Sequence, residues 1–357
     1  MIPMRDNQRH CQSESASKLR LGGIKFSDVQ VQVSIPSSSG YPELASVLTA
    51  LTKNRVNLTQ LFLENDTGSA SFCLDEKDYQ KARKLIDGAL EPYGPVAQQV
   101  TSPIGTLTLF PHGSNIHVLL CVLQVFSEHD LPIHGMTSSL SALCINTDYD
   151  LLDRAADLLL KVFDLPEDHS PFRYQPSTLD SALHQHQPGR KVETVASYWE
   201  PVIRIYGSNL KTGLAMFNIY FAKKQLAQIG SLLSEVKGLD SFEMMTLSQS
   251  GSDDFCLVLL IKPTGGQQEE LSIRNCMEVP GVVFSERSAV EVLYFHGPHF
   301  QDRYGVMDTA VKALKKNETE IHAANCSGTS VYLVTGDTIG GRALEALAEV
   351  FVVPKTY

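Results

Sequence analysis

The chain has 357 residues, 43% hydrophobic and 20% charged, which is enough for two or more compact cores and too apolar for a disordered polymer. A formal net charge of −10 without any dense Lys/Arg tract leaves no basic footprint for phosphate, so nucleic acid is not an expected partner. No apolar run approaches the ~20 residues of a membrane-spanning helix, so no membrane role is expected.

Residues 1–17, MIPMRDNQRHCQSESAS, lack the apolar core of a signal peptide and read as a mobile polar tail. After the short arm LRLGGIKF, VQVQVSI (29–35) alternates as a strand does. The loop PSSSGYP then leads into a helix with Leu44, Val47, Leu48 and Leu51 on one face. VNLTQLFLE and SASFCLD follow as strands around the turn NDTG, then a helix with Tyr79, Ala82 and Ile86 inward. VAQQVTS is available as a closing strand. The same order returns in IGTLTLF (104–110), the loop PHGSN, and a helix with Val118, Val122 and Val125. LPIHGMTS, SLSALCIN and a helix with Leu151, Ala155, Leu158 and Val162 complete this copy. Val29 to Val56 and Ile104 to Leu131 both advance 27 positions, as expected of an internal repeat.

Residues 164–197, with LPEDHSPFRYQPS and HQHQPGRK, have linker composition. Two strands compete to open the third copy, PVIRIYG (201–207) and LAMFNIYFA (214–222). The 27-position spacing from Leu214 to Ser241 selects the second and makes the first an arm like LRLGGIKF. Leu226, Ile229 and Leu233 form the face of its helix; FEMMTLSQ and FCLVLLIKP are its middle strands, and a second helix is placed near QEELSIRNCM. The fourth copy runs from AVEVLYF through a helix with Met307, Ala310, Val311 and Leu314. EIHAANC, TSVYLVT and a last helix with Leu344, Leu347, Ala348 and Phe351 finish it.

The expected architecture is therefore α+β, four ferredoxin-like βαββαβ units in two tandem pairs: 18–100, 101–163, 198–288 and 289–357. The units resemble ACT domains, in particular the paired ACT domains that follow the kinase domain of aspartokinases. The stretches that carry the resemblance are SIPSSSGYPELASVLTALTKNRVNLTQLF, FPHGSNIHVLLCVLQVFSEHDLPIHGMTSSLSALCIN, the turn KNRVN with Asn57, and HGPHFQDRYGVMDTAVKAL. The Lys-Phe-Gly-Gly strand and the nucleotide-binding domain of aspartokinases have no counterpart here, so the resemblance does not extend to kinase activity. It implies a noncatalytic regulatory protein that binds a free amino acid between units and acts on a partner enzyme or as a homo-oligomer. The alternatives are an aspartokinase-related enzyme, a regulatory subunit of an amino-acid biosynthetic enzyme, or a scaffold with empty loops.

The strand-to-helix loops are the candidate sites, because a helix N-terminus presents amide donors to a carboxylate. In the fourth copy Asp302 is the candidate ammonium partner, Arg303 the carboxylate clamp, and His299 and Tyr304 side-chain contacts. The second copy offers His112 and Gly113 with Ser114 and Asn115, the last two also being ordinary helix caps. The first, held in reserve, offers Ser37, Ser38, Ser39 and Gly40; Asn57 is a further ligand-binding candidate whose ordinary role would be to terminate the preceding helix or shape its turn. The favoured site joins the loops of copies two and four; YFAKKQ of copy three reads as structural. Thr137, Ser138 and Asn325, near strand ends, are expected to bond to backbone.

No cofactor and no metal is expected. His296 with His299, and His184 with His186, lack the further ligands a metal needs. TGDTIGG and PTGGQQ lack the Gly-Lys-Ser/Thr ending of a phosphate loop, and no nucleophile elbow occurs. Seven cysteines, an odd number without CxxC and often within apolar runs, read as reduced core residues of a cytoplasmic protein.

Overall fold

The computed structural model describes residues 18–36, 38, 41–66, 68–173, 202–236, 239–249, 253–263, 273–274, 278–297 and 303–352. The first half contains β1 (Leu19–Arg20), β2 (Gly23–Phe26), β3 (Gln30–Pro36), α1 (Pro42–Lys53), β4 (Gln60–Glu64), β5 (Ser69–Asp75) and α2 (Glu76–Leu90). It continues with β6 (Gln99–Phe110), α3 (Ile116–Glu128), β7 (Gly135–Ser138), β8 (Leu143–Asp148), α4 (Leu152–Leu159) and β9 (Phe163–Asp164). The second half opens with β10 (Ile203–Arg204), β11 (Gly207–Ala222), α5 (Leu226–Glu235), β12 (Met244–Gln249) and β13 (Asp254–Ile261). It closes with β14 (Val283–His296), α6 (Val306–Lys316), β15 (Ala323–Ser327), β16 (Ser330–Thr335), α7 (Gly340–Ala348) and β17 (Phe351–Val352).

Helix faces formed where the periodicity placed them: Leu44, Val47, Leu48 and Leu51 of α1 are buried, as are Met307, Ala310, Val311 and Leu314 of α6. Each fully buried aliphatic side chain contributes about 1.5–3 kcal/mol of apolar transfer. The last helix differs from expectation. It ends at Ala348, which is exposed, and Phe351 is buried from a short strand instead. The expected second helix of the third copy lies mostly outside the described residues, where Ile273 and Arg274 alone are helical.

Two long strands replace what the sequence suggested were separate ones. The first part of β6 pairs with β3 (Ile104 opposite Gln30) and its second part with β8 (Leu109 opposite Leu143), so one strand crosses the expected boundary at residue 100. The arm strand β2 lies on that second part, with Gly23 opposite Phe110, and so joins the second copy rather than the first. In the other half, arm and first strand fuse into β11, whose register shifts near Gly213, where φ is +68°.

Across the halves, β4 pairs antiparallel with β15 and β7 with β12. Thus the first copy is joined to the fourth and the second to the third. The strands form a 13-stranded sheet that returns on itself through the β6–β8 pairing, which leaves few exposed edges. Helices α1, α2, α6 and α7 cover one core, and α3, α4 and α5 another.

The faces turned away from the helices are also buried. In the second half this face is apolar, built from Leu214, Met216, Met244, Val258, Leu260 and Val334. In the first half it is a polar network in which Asn146 Nδ2 donates to Gln32 Oε1 (3.1 Å) and Gln60 Oε1 (2.9 Å), and Gln60 Nε2 donates to Thr106 Oγ1 (3.1 Å). Each group finds a partner, which removes the desolvation cost of about 1–3 kcal/mol that an orphaned group would carry.

Candidate functional site

The β4/β15 junction brings the end of α1 against the start of α6. A narrow cleft there is lined by Leu51, Thr52, Val56 and Asn57 on one side and by Arg303 and Gly305–Asp308 on the other. Gly305 precedes α6 at φ +86°, and a Cβ on it would lie 2.8 Å from Thr52 Cγ2, so both conformation and space call for glycine. The N-cap of α6 is Gly305, which has no side chain to cap with, and Val306, Met307 and Asp308 of the first turn line the cleft at the positive end of the helix dipole. The Arg303 guanidinium sits 5.9 Å from the centre of the Tyr304 ring. Asp308, 5% exposed, is a tie between helices: the Thr49 hydroxyl donates to Oδ1 (2.8 Å) and Lys312 Nζ to Oδ2 (2.7 Å). The enclosed space is about 20 Å³, room for one water, so a larger guest has to part the loop from α1.

On the other side of the same junction, Tyr41 stands where Gly305 stands, directly before α1 and left-handed at φ 54°. Its ring is buried, and burial together with Glu320, Glu64 and Asp66 pushes the phenol's pKa far up. Next to it Arg287 donates to Asp66 Oδ1 (2.5 Å), and Asn218 Nδ2 donates to Oδ2 (2.7 Å). Burial alone would raise the Asp66 carboxyl; the bonds from Arg287, Asn218 and Ser285 outweigh it and hold it below the usual carboxylate range. Ser38 turns to its own helix, its N–H donating to Glu43 Oε2 (2.9 Å) and its hydroxyl to Oε1.

At the β7/β12 junction the loop of the second copy is covered by residues 239–242 of the third. Phe242 stacks on His112 (centroids 5.3 Å, 14°), Ile116 N–H donates to Asp240 O (3.1 Å), and Phe242 N–H donates to Ser114 O (3.1 Å). His112 Nδ1 accepts from Ser114 N–H (2.8 Å), which leaves Nε2 as the donor to Ser139 O (3.0 Å). Burial lowers its pKa, consistent with a neutral ring. Asn115 caps α3 through His117 N–H (2.8 Å), while Ser114 is left-handed at φ 56° and caps nothing through its side chain. Gly113, at φ +59°, is exposed with open space beside it.

The loops of copies two and four, expected to share a site, thus lie at different junctions. Asn57, Arg303 and Tyr304 come together with the first copy; His112, Gly113, Ser114 and Asn115 meet the third. Gly40, His299 and Asp302, with Ser37 and Ser39, lie outside the described residues. The helix-terminating residue is Asn54, three positions before Asn57: it is the C-cap of α1, and Asn57 lines the cleft beyond it. Thr137, Ser138 and Asn325 bond to backbone, for instance Asn325 Nδ2 to Ser138 O (2.6 Å). Gly305, Asp308, Tyr41 and Phe242 were missed; only the Gly before a helical face in RYGVMDTAVKAL signalled its position. The described cysteines, 73, 121, 144, 256 and 326, are free and buried, and no cluster of metal-ligating side chains occurs among the described residues.

No family model matches the chain, and no curated protein does. Among solved structures, aspartate kinase from Synechocystis superposes with a TM-score of 0.74 at 14% identity, over 94% of this chain and 57% of that one. The fold is similar to that of this aspartate kinase. The regulatory subunit of aspartate kinase from Thermus thermophilus aligns over 40% of this chain and 99% of its own, with a TM-score of 0.36 at 14% identity. The present chain therefore spans little more than half the length of its Synechocystis neighbour. No helix among the described residues is long and apolar enough to cross a membrane.

Proposed function

We propose that this chain is a regulatory protein of four ACT-like units, 18–100, 101–163, 198–288 and 289–357, with the arm of each half lent to the later unit. A free amino acid is held at the β4/β15 junction. The supporting observation is the start of α6, where Gly305 stands in place of Tyr41 and the first turn lines a narrow cleft together with Arg303 and Asn57. The α-carboxylate would meet the amides of residues 306–308 and Arg303; backbone carbonyls at the end of α1, beside Asn57, would take the ammonium. Entry parts the loop from α1 and loads the Thr49–Asp308 tie, so ligand favours one arrangement of the two helices. A partner enzyme, or a second copy of the chain, reads that arrangement by differential affinity.

Titration calorimetry against the twenty amino acids tests this. Saturable binding of one of them, weakened about tenfold or more by Arg303→Gln, is expected. No binding at millimolar concentration overturns the proposal. The competing reading, an aspartokinase-related enzyme, draws on the likeness to the Synechocystis enzyme and would be favoured by ATP binding to the purified chain.

A further inference from the structure

The first two units carry the same surface with opposite charge. Matching backbone fixes the equivalence: α1 and α3 end at the C-caps Asn54 and His129, each followed by a left-handed residue, Arg55 at φ 57° and Asp130 at φ 52°. The next helical stretches begin after Asp75 and Asp148, whose φ, ψ angles are −60°, 137° and −58°, 135°. A cation then ties each stretch to the cap before it, Lys81 Nζ donating to Asn54 O (2.5 Å) and Arg154 Nη2 to His129 O (3.2 Å). In this frame Lys53 corresponds to Glu128 and Arg55 to Asp130, while Lys77 corresponds to Asp150 and Lys84 to Asp157. All of them are exposed. Lys77, Lys81 and Lys84 recur at i, i+4 and i+7, as do Asp150, Arg154 and Asp157, so each set runs along one side of its helical stretch, beside the cap that Lys81 or Arg154 holds. Counted with every other charge on these stretches, 53–55 with 76–88 is basic by three and 128–130 with 149–161 is acidic by three.

The fold demands neither sign, since the fourth unit mixes them at the same place, with Lys316 before the C-cap Asn317 and Glu318 left-handed after it. Nor do the two faces neutralise each other within the chain. Among the described residues Lys53, Arg55, Lys84, Asp130, Asp150 and Asp157 enter no ion pair; Lys77 pairs locally with Asp75 (3.1 Å), and Glu128 accepts from Gln124 Nε2 (2.8 Å). On a chain of net charge −10 the basic face is the exception, and the chain itself carries the surface that opposes it charge for charge. We propose that the basic face of the first unit docks on the acidic face of the second unit in another molecule of this chain. Repulsion disfavours pairing like faces, which sets the orientation as first unit to second. The contact is heterologous, so each molecule keeps one face for the next unless a ring closes. Exposed ion pairs are individually weak and screened by salt, so the association is weak and fades as ionic strength rises. It does not rest on the amino-acid reading.

Sedimentation equilibrium of the full chain tests this. Wild type should self-associate at about 20 mM salt, at least about tenfold more tightly than at about 500 mM. One variant, Lys53→Glu with Arg55→Asp, Lys77→Asp and Lys84→Asp, makes both faces acidic; another, Glu128→Lys with Asp130→Arg, Asp150→Lys and Asp157→Lys, makes both basic. Each change installs the residue that the other unit already carries on the same backbone. Either variant alone should be monomeric at low salt. An equimolar mixture should restore a one-to-one complex, because one native contact survives between them. The single changes Lys84→Asp and Asp157→Lys should each weaken self-association about threefold or more. A wild-type chain that stays monomeric at low salt and about 100 µM overturns the proposal, whether the faces serve another partner or only solvation. Self-association that either variant or both single changes leave intact overturns it as well, as does a mixture that stays monomeric while circular dichroism shows both variants folded.

Discussion

The β4/β15 and β7/β12 junctions are built from the same elements, yet one leaves a cleft and the other is sealed. At both, a first-strand loop meets the turn after a helix of the neighbouring copy. What differs is a single side chain at each contact. Gly305 brings the backbone up against Thr52 without a side chain, Tyr41 fills the mirror position with a phenol, and Phe242 covers His112. A repeated backbone thus offers several equivalent sockets, and side-chain volume decides which can admit a guest.

The comparison is broken most severely by Phe242→Ala, which removes a ring that is 2% exposed. A loss of about 3–5 kcal/mol is expected in denaturant unfolding, with His112 left exposed to solvent. Gly305→Ala attacks the open junction. A non-glycine residue at φ +86° with its Cβ 2.8 Å from Thr52 should cost about 1–3 kcal/mol and reduce amino-acid affinity in calorimetry. The smallest effect sharpens the contrast through pH. His112 has a folded pKa below the unfolded value near 6.5, so the folded chain binds fewer protons than the unfolded one between those values. Stability is then fully present above the unfolded pKa and falls as pH drops below it. The stability difference between wild type and His112→Phe should accordingly shrink from pH 7.5 to pH 5, as measured by urea titration at each pH.

Much of this architecture was legible because helices carry their packing face in the sequence. Leu44, Val47, Leu48 and Leu51 sit every three or four residues, and nothing but a core accounts for them. Strand patterns were less informative. In VQVQVSI the alternation marked a strand but not its surroundings: Gln30 and Gln32 are buried against the second copy, where Thr106 and Asn146 satisfy them. Alternation reports two chemically different faces, not whether water touches the polar one. The pairing of the first copy with the fourth was hidden too, since strand edges such as Gln60–Glu64 do not encode their partner locally. At the junctions, Asn57 and Arg303, both singled out in the sequence, line one cleft. Tyr41 and Phe242 were not singled out, because a plug is recognised only when the socket it enters is known.

The long strands β6 and β14 carry a consequence for how the molecule comes apart. Each is hydrogen-bonded to two successive copies, and the chain of pairings closes on itself, so no module can peel away without stripping its neighbour. Fragments cut near residue 100 or 289 would divide a shared strand and expose raw edges to aggregation, whereas the intact ring should melt in one concerted step.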